Sequence, residues 1–284
     1  MEVKQAVFAI EKASQNTIKY EQGDYYGEDG LLYCGKCHTP KQCRITILDE
    51  ERTPMCLCKC MADKLEREEK ERIHNYRVAK LREYGLPDAK MLDCTFDNDD
   101  RANQKITGIL QRYTENFEKM IESGKGLTLF GNTGTGKTFL ALCVANALIE
   151  REVACKVITS PQIVSEISDA DNQQEYITRL NRYQLLVLDD LNAERNTDYA
   201  NEIIYNVIDC RCRSGLPIII TTNATADDLK NQIDMRKARI YSRLFQMTFP
   251  IEISGFDRRR KNLISDYTKL SDVLGLGDNN ESKL

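Results

Sequence analysis

The chain has 284 residues, enough for about two domains at roughly 150 residues each. With 30% charged and 41% hydrophobic residues its composition excludes a fibrous or disordered polymer. A net charge of −4 excludes wholesale attraction to nucleic acid or an anionic membrane, although residues 231–261 hold eight Lys/Arg against three acids, +5 locally and −9 elsewhere.

No segment reads as a targeting or spanning element. The early apolar run Ala6–Ile10 is too short for a signal peptide, and nothing approaches the ~18–20 apolar residues of a bilayer span. The expectation is a cytoplasmic protein with no membrane contact. Eleven cysteines in a reducing compartment then read as metal ligands and buried thiols, not as a disulfide framework.

In chain order, residues 1–20 predict an amphipathic helix, with Val3, Ala6, Val7, Ile10 and Ile18 near one face. A turn, Gly23-Asp24-Tyr25-Tyr26-Gly27, leads into a cysteine-dense stretch holding Cys34, Cys37, Cys43, Cys56, Cys58 and Cys60. Cys34-Gly35-Lys36-Cys37 has the spacing of a zinc knuckle, and Cys56-Leu57-Cys58-Lys59-Cys60 offers the second pair. Cys34, Cys37, Cys58 and Cys60 are the favoured Zn²⁺ ligands, because Cys58 and Cys60 abut the following helix; Cys56, Cys43 and His38 stay open as alternatives. Cys34 to His38 also spells a haem-attachment motif, which the lack of an export signal disfavours. The short run Leu31-Leu32-Tyr33 is a poor lead-in for a redox Cys-x-x-Cys.

Met61–Tyr84 predicts a charged helix with pairs such as Glu66/Lys70 and Glu68/Arg72, stopped by Gly85 and Pro87. From about Gly124 strands and helices alternate. Apolar strands are expected at 127–130, 153–158, 185–188 and 218–222, and helix starts at Ser160-Pro161, Thr197 and Thr225. Such alternation predicts an α/β fold, a parallel sheet between helices. Cys94, Cys143, Cys155, Cys210 and Cys212 stand singly and read as core thiols.

Gly131-Asn132-Thr133-Gly134-Thr135-Gly136-Lys137-Thr138 is a complete P-loop between an apolar strand and a helix. Glycines let main-chain N–H groups converge on phosphates at a helix N-terminus. Lys137 is expected to reach the β- and γ-phosphates of ATP, and Thr138 to ligate Mg²⁺. Leu185–Leu188 then ends in Asp189 and Asp190: the first to hold Mg²⁺, the second to polarise the attacking water. Asn223, at the tip of the strand 218–222, is placed to sense the γ-phosphate.

The order of these motifs, followed by Arg-Ile-Tyr-Ser-Arg-Leu (239–244), resembles an AAA+ ATPase. Residues 188–197 are more narrowly similar to the DnaC/DnaI-type replicative helicase loaders and the related IstB-type transposition ATPases. The resemblance covers roughly residues 95–265. It implies that Asn223 is sensor I, that Arg243 is an arginine finger acting on a neighbouring subunit's ATP, and that Arg258, ahead of Arg259 and Arg260, is sensor II. Asp190 stands where many AAA+ enzymes carry Glu. The resemblance further implies an ATPase that forms homo-oligomers through the ATP site, binds a replicative DNA helicase and delivers it to single-stranded DNA.

The domain limits expected are an N-terminal helical and zinc-binding adaptor at 1–90, an AAA+ domain at 91–270 and a tail at 271–284. Arg195, Thr197 and Tyr199, with the basic 236–261 region, are candidates for a single-strand path. The rival expectations are an IstB-like ATPase assisting a transposase and a nucleotide-dependent adaptor with negligible turnover.

Overall fold

The structure is a computed structural model that describes residues 20–258, except 48, 87, 101, 194–196 and 231–233, together with 267 and 270. The helix expected at 1–20, the stop at Pro87, Arg195, Arg259, Arg260 and the tail 271–284 lie outside these residues, as does all but Tyr20 at the N-terminus. The chain divides into two compact units, Met1–Tyr76 and Arg77–Leu284. The break falls inside the charged helix, earlier than the limit of 90 placed from composition.

In the first unit two antiparallel ladders frame the cysteines, neither foreseen from the sequence. Strand β1 (Tyr25–Tyr26) pairs with β2 (Leu32–Tyr33), and β3 (Ile45–Ile47) with β4 (Glu50–Arg52). The helix Lys59–Gly85 starts at the last cysteine pair. Of its expected ion pairs, Glu66–Lys70 forms at 2.6 Å. Arg72 instead takes Glu69 at i,i+3, and Glu68 pairs with Lys64, because three- and four-residue spacings are equally reachable on an exposed face. These exposed pairs add little stability.

The second unit is built on five parallel strands: β5 (Gly126–Phe130), β6 (Cys155–Thr159), β7 (Leu185–Leu191), β8 (Ile218–Thr222) and β9 (Thr248–Glu252). The spatial order is β6-β7-β8-β5-β9. The α/β class expected from alternation is what the structure shows, with helices flanking the sheet. The last strand was not anticipated, since Thr-Phe-Pro-Ile-Glu alternates weakly and three of its residues, Phe249, Pro250 and Glu252, are exposed. Apolar side chains fill both faces: Leu129, Leu148 and Val187 belong to one core cluster, and Leu188, Ile204 and Ile220 to the other. Cys94 and Cys155 pack with the first cluster and Cys210 and Cys212 with the second, while Cys143 is buried, all as expected of core thiols. Thr197 caps the helix Asp198–Arg213 by accepting the Ala200 N–H, and Thr225 exchanges bonds with Asp228 at the next helix start. The cap of the helix Ser160–Ser168 is Thr159, not Ser160, which puts Pro161 inside the first turn.

Arg211 ties the lower ends of the central strands together. It is 1% exposed, and its guanidinium donates to the carbonyls of Tyr183 and Gln184, just before β7, and of Pro217, just before β8. Burial pulls it down to about 10, yet it remains charged at neutral pH. Replacing Arg211 with Met keeps most of its volume but strands several carbonyls. It should cost roughly 2–4 kcal/mol, read as a lower urea midpoint at unchanged slope.

Candidate functional site

The P-loop leaves β5 and runs into the helix Lys137–Glu150, so its amides collect at the C-terminal edge of the sheet. Two glycines are dictated by geometry. Gly131 (φ +135°) lies so close to β9's continuation that a Cβ would stand 2.4 Å from the Ile253 carbonyl oxygen, and Gly134 (φ +78°) sits against Asp257. Lys137 is 5% exposed, and its ammonium donates to the carbonyls of Gly131 (2.9 Å) and Asn132 (2.7 Å) and to Asn223 Oδ1 (2.8 Å). Thr135 Oγ1 closes the loop on the Asn132 carbonyl.

Because β8 lies between β5 and β7, its tip reaches both neighbours. Asn223 contacts Lys137 on one side. On the other, Thr221 Oγ1 donates to Asp189 Oδ1 at 2.6 Å and accepts the Asp190 N–H at 2.9 Å. Thr138 Oγ1 donates to the same Asp189 oxygen at 2.8 Å. Thr221 is a site residue that sequence reasoning passed over. The tip sequence Thr-Thr-Asn contained it, but which hydroxyl faces β7 depends on strand order.

Asp189 and Asp190 diverge because β7 bulges against β8 between Leu188 and Leu191. Asp190 and Asn192 adopt left-handed φ values of +54° and +74°. The bulge leaves Asp189 buried while Asp190 opens into a cavity of about 500 Å³. Asn98, Asp100, Gly134, Gly136, Thr138, Asn223 and Arg258 are among its other lining residues. Arg258 covers the loop: its N–H donates to the Gly134 carbonyl, and its guanidinium lies 3.1 Å from Asp100 and 3.8 Å from the buried Asp99. Thus Lys137, Thr138, Asp189, Asp190, Asn223 and Arg258 converge.

Arg243 lies elsewhere. It sits on the helix Met235–Met247, paired with Asp209 at 3.1 Å and donating to Gln246. Much of the basic 236–258 segment is matched by acids from other elements. Arg236 pairs with Asp198 and Asp234, Arg243 with Asp209, and Arg258 with Asp99 and Asp100, while Arg239 stacks over Tyr205. Thr197 spends its hydroxyl as a cap, whereas Tyr199 is 47% exposed and accepts a bond from Gln173.

In the first unit the sulfurs of Cys34, Cys37, Cys58 and Cys60 lie within 4.8 Å of one another. Cys34 and Cys60 stand 3.7 Å apart, and Cys58 and Cys60 3.4 Å. Four sulfurs at 2.3 Å from a tetrahedral zinc stand about 3.8 Å apart, so the donor set fits that ion. Of the alternatives, Cys56 and Cys43 face the carbonyls of Pro40 and Pro54, and His38 bonds Tyr25. Bonds from Thr39 and the Cys60 amide bring the Cys37 thiol down to about 5, while the crowded neighbouring sulfurs push Cys60 up to about 12 and burial raises Cys58.

A family profile described as IstB-like ATP binding protein matches residues 52–263, most of the chain. The chain belongs to this family. It is similar to the replicative helicase loader DnaI of Bacillus subtilis (strain 168), 29% identical over 60% of this chain and 59% of that protein. It is also similar to the replicative helicase loader DnaC of Escherichia coli (strain K12), 25% identical over 51% of this chain and 61% of that protein. The chain therefore spans about three fifths of the length of these curated relatives. A crystal structure of DnaI superposes with a TM-score of 0.50 at 25% identity, covering 60% of this chain and 93% of that one. This family member carries its P-loop on a parallel sheet of the AAA+ type, and among the described residues no helix is long and apolar enough to cross a membrane.

Burial raises the Asp189 carboxyl above its ordinary value of 3.8, against the hydroxyls of Thr221 and Thr138 that lower it. The folded chain then holds this proton more tightly than the unfolded chain. Ionisation at neutral pH therefore costs stability, a loss that accrues as pH rises from 3.8 through the raised value. Asp189→Asn should melt above wild type at pH 7, with the gap closing on acidification. Thermal scans across pH check this.

Proposed function

We propose that this chain is an ATP-hydrolysing AAA+ protein that loads a replicative helicase onto single-stranded DNA. The observation that carries the reading is the junction of three elements at Asp189. A P-loop hydroxyl and a β8 hydroxyl meet one buried carboxylate while Asn223 meets the P-loop lysine. This arrangement supports phosphoanhydride hydrolysis by water. The amides of residues 131–138 and Lys137 would hold the phosphates of ATP. Thr138 and Asp189 would hold Mg²⁺, whose chemistry is to neutralise phosphate charge. Asp190, opening into the cavity, is the group to orient and polarise water, and Asn223 and Arg258 would monitor the γ-phosphate.

Arg243 would act across a subunit boundary of a homo-oligomer, which accords with its position outside its own chain's cavity. The Asp209 pair would be exchanged for phosphate charge on assembly. Helicase binding is assigned to the first unit, the adaptor, because the catalytic set lies wholly in the second. Tyr199, with Arg195, would line the strand path; the internal pairing of the 236–258 arginines shifts weight onto Tyr199. The loader reading rests on the family and on the similarity to two replicative helicase loaders. The family's description also supports a second reading, an ATPase assisting a transposase.

Native mass spectrometry of the chain with the replicative helicase of the same host, with and without ATP–Mg²⁺, separates the two. A discrete mixed complex is expected; self-assembly that ignores the helicase would favour the transposition reading. In steady-state assays Lys137→Ala should abolish turnover, excluding a non-hydrolysing adaptor. Arg243→Ala should lower kcat on the order of 10³-fold while fluorescent ATP still binds.

A further inference from the structure

The sequence marks four cysteines but says nothing of what orients them. Each of the two cysteine pairs has a main-chain N–H between or beside its thiols that needs an acceptor, and each finds one on a side chain from outside the pair. The Gly35 N–H, inside Cys34–Cys37, donates to Asp24 Oδ1 at 3.1 Å. The Lys59 N–H, inside Cys58–Cys60, donates to Thr39 Oγ1 at 2.9 Å. We infer that Asp24 and Thr39 are the positioning residues of the zinc centre, one for each half of the ligand set. The inference rests on the zinc reading of the four cysteines.

Asp24 is built for this role. Its side chain is 2% exposed, and its other oxygen accepts the Glu21 N–H at 2.8 Å and the Lys41 ammonium at 2.6 Å. A buried ion pair is costly unless it orders something. Here the ordering runs onward. The Lys41 N–H donates to the Leu32 carbonyl, and the Lys41 carbonyl accepts the Cys56 N–H, so one ion pair couples the knuckle to the approach of the second cysteine pair. The fit is tight: a Cβ on Gly35 would stand 2.2 Å from the Gly23 carbonyl oxygen.

Thr39 reaches both halves at once. Its carbonyl accepts the Cys34 N–H, and its hydroxyl oxygen lies 3.0 Å from Cys37 Sγ. A metal-bound Cys37 is a thiolate with no proton to give, so in the zinc-bound state the Thr39 hydroxyl donates to the Cys37 sulfur while its oxygen accepts from Lys59. Outer-shell bonds of this kind hold ligands in place and are typically worth 10–100-fold in metal affinity.

The test uses the full-length chain. Zinc content is measured per chain, and zinc affinity by competition with a chromogenic chelator. Spectra of the Co²⁺-substituted protein are recorded in parallel. Asp24→Asn and Thr39→Val should each weaken zinc binding by about 10- to 100-fold, whereas Thr39→Ser should hold zinc like wild type. The thiolate-to-cobalt band should move in Thr39→Val and not in Thr39→Ser, a change that loss of general stability would not produce. A wild type holding one zinc, with Asp24→Asn and Thr39→Val as tight and the cobalt band unmoved, overturns this inference alone. A wild type that carries no zinc overturns the zinc reading and this inference with it.

Discussion

A single buried oxygen, Asp189 Oδ1, accepts hydroxyl hydrogen bonds from Thr138 and from Thr221, which come from two different elements of the nucleotide-binding unit. That shared acceptor locks the first turn of the P-loop helix to the tips of β7 and β8. It exists only because β8 inserts between β5 and β7. With any other neighbour in that place, Asn223 would not reach Lys137 and Thr221 would not reach Asp189. The carboxylate is held where burial disfavours its charge, against the two hydroxyls that favour it.

The opposite ends of the same strands show how that geometry is maintained. Arg211 gathers the carbonyls that precede β7 and β8, so both strands start from one fixed point. The bulge near the other end of β7 then separates two consecutive carboxylates into different environments, one buried against hydroxyls and one facing the cavity. The different surroundings of Asp189 and Asp190 thus come from a backbone irregularity, since their side chains are chemically identical. Arg258 is held at the cavity mouth by Asp99 and Asp100, so the anionic rim and the cationic cover neutralise each other.

The first unit solves a different problem by the same means. Among its described residues it buries few apolar side chains, and buried polar bonds tie together the segments that carry the four sulfurs. The Asp24–Lys41 pair and the Thr39 hydroxyl supply those bonds from residues that look like ordinary turn chemistry in the sequence. Position 24 reads as a turn aspartate after Gly23, and position 39 as a threonine before Pro40.

The amino-acid sequence alone determined the P-loop, the carboxylates after an apolar strand, the four favoured cysteines and the α/β class. Each rests on local spacing: glycines admit left-handed backbone, apolar runs bury, and gaps of one or two residues place thiols together. Only tertiary structure decided that Thr221 belongs to the site, that Arg211 anchors the sheet, and that the arginines of 236–258 are largely neutralised by Asp99, Asp100, Asp198 and Asp209. It also decided that β9 completes the sheet. These features depend on which strands become neighbours and which acids face which bases across long sequence separations. Strand order is set by the packing of whole faces, and no short motif records it.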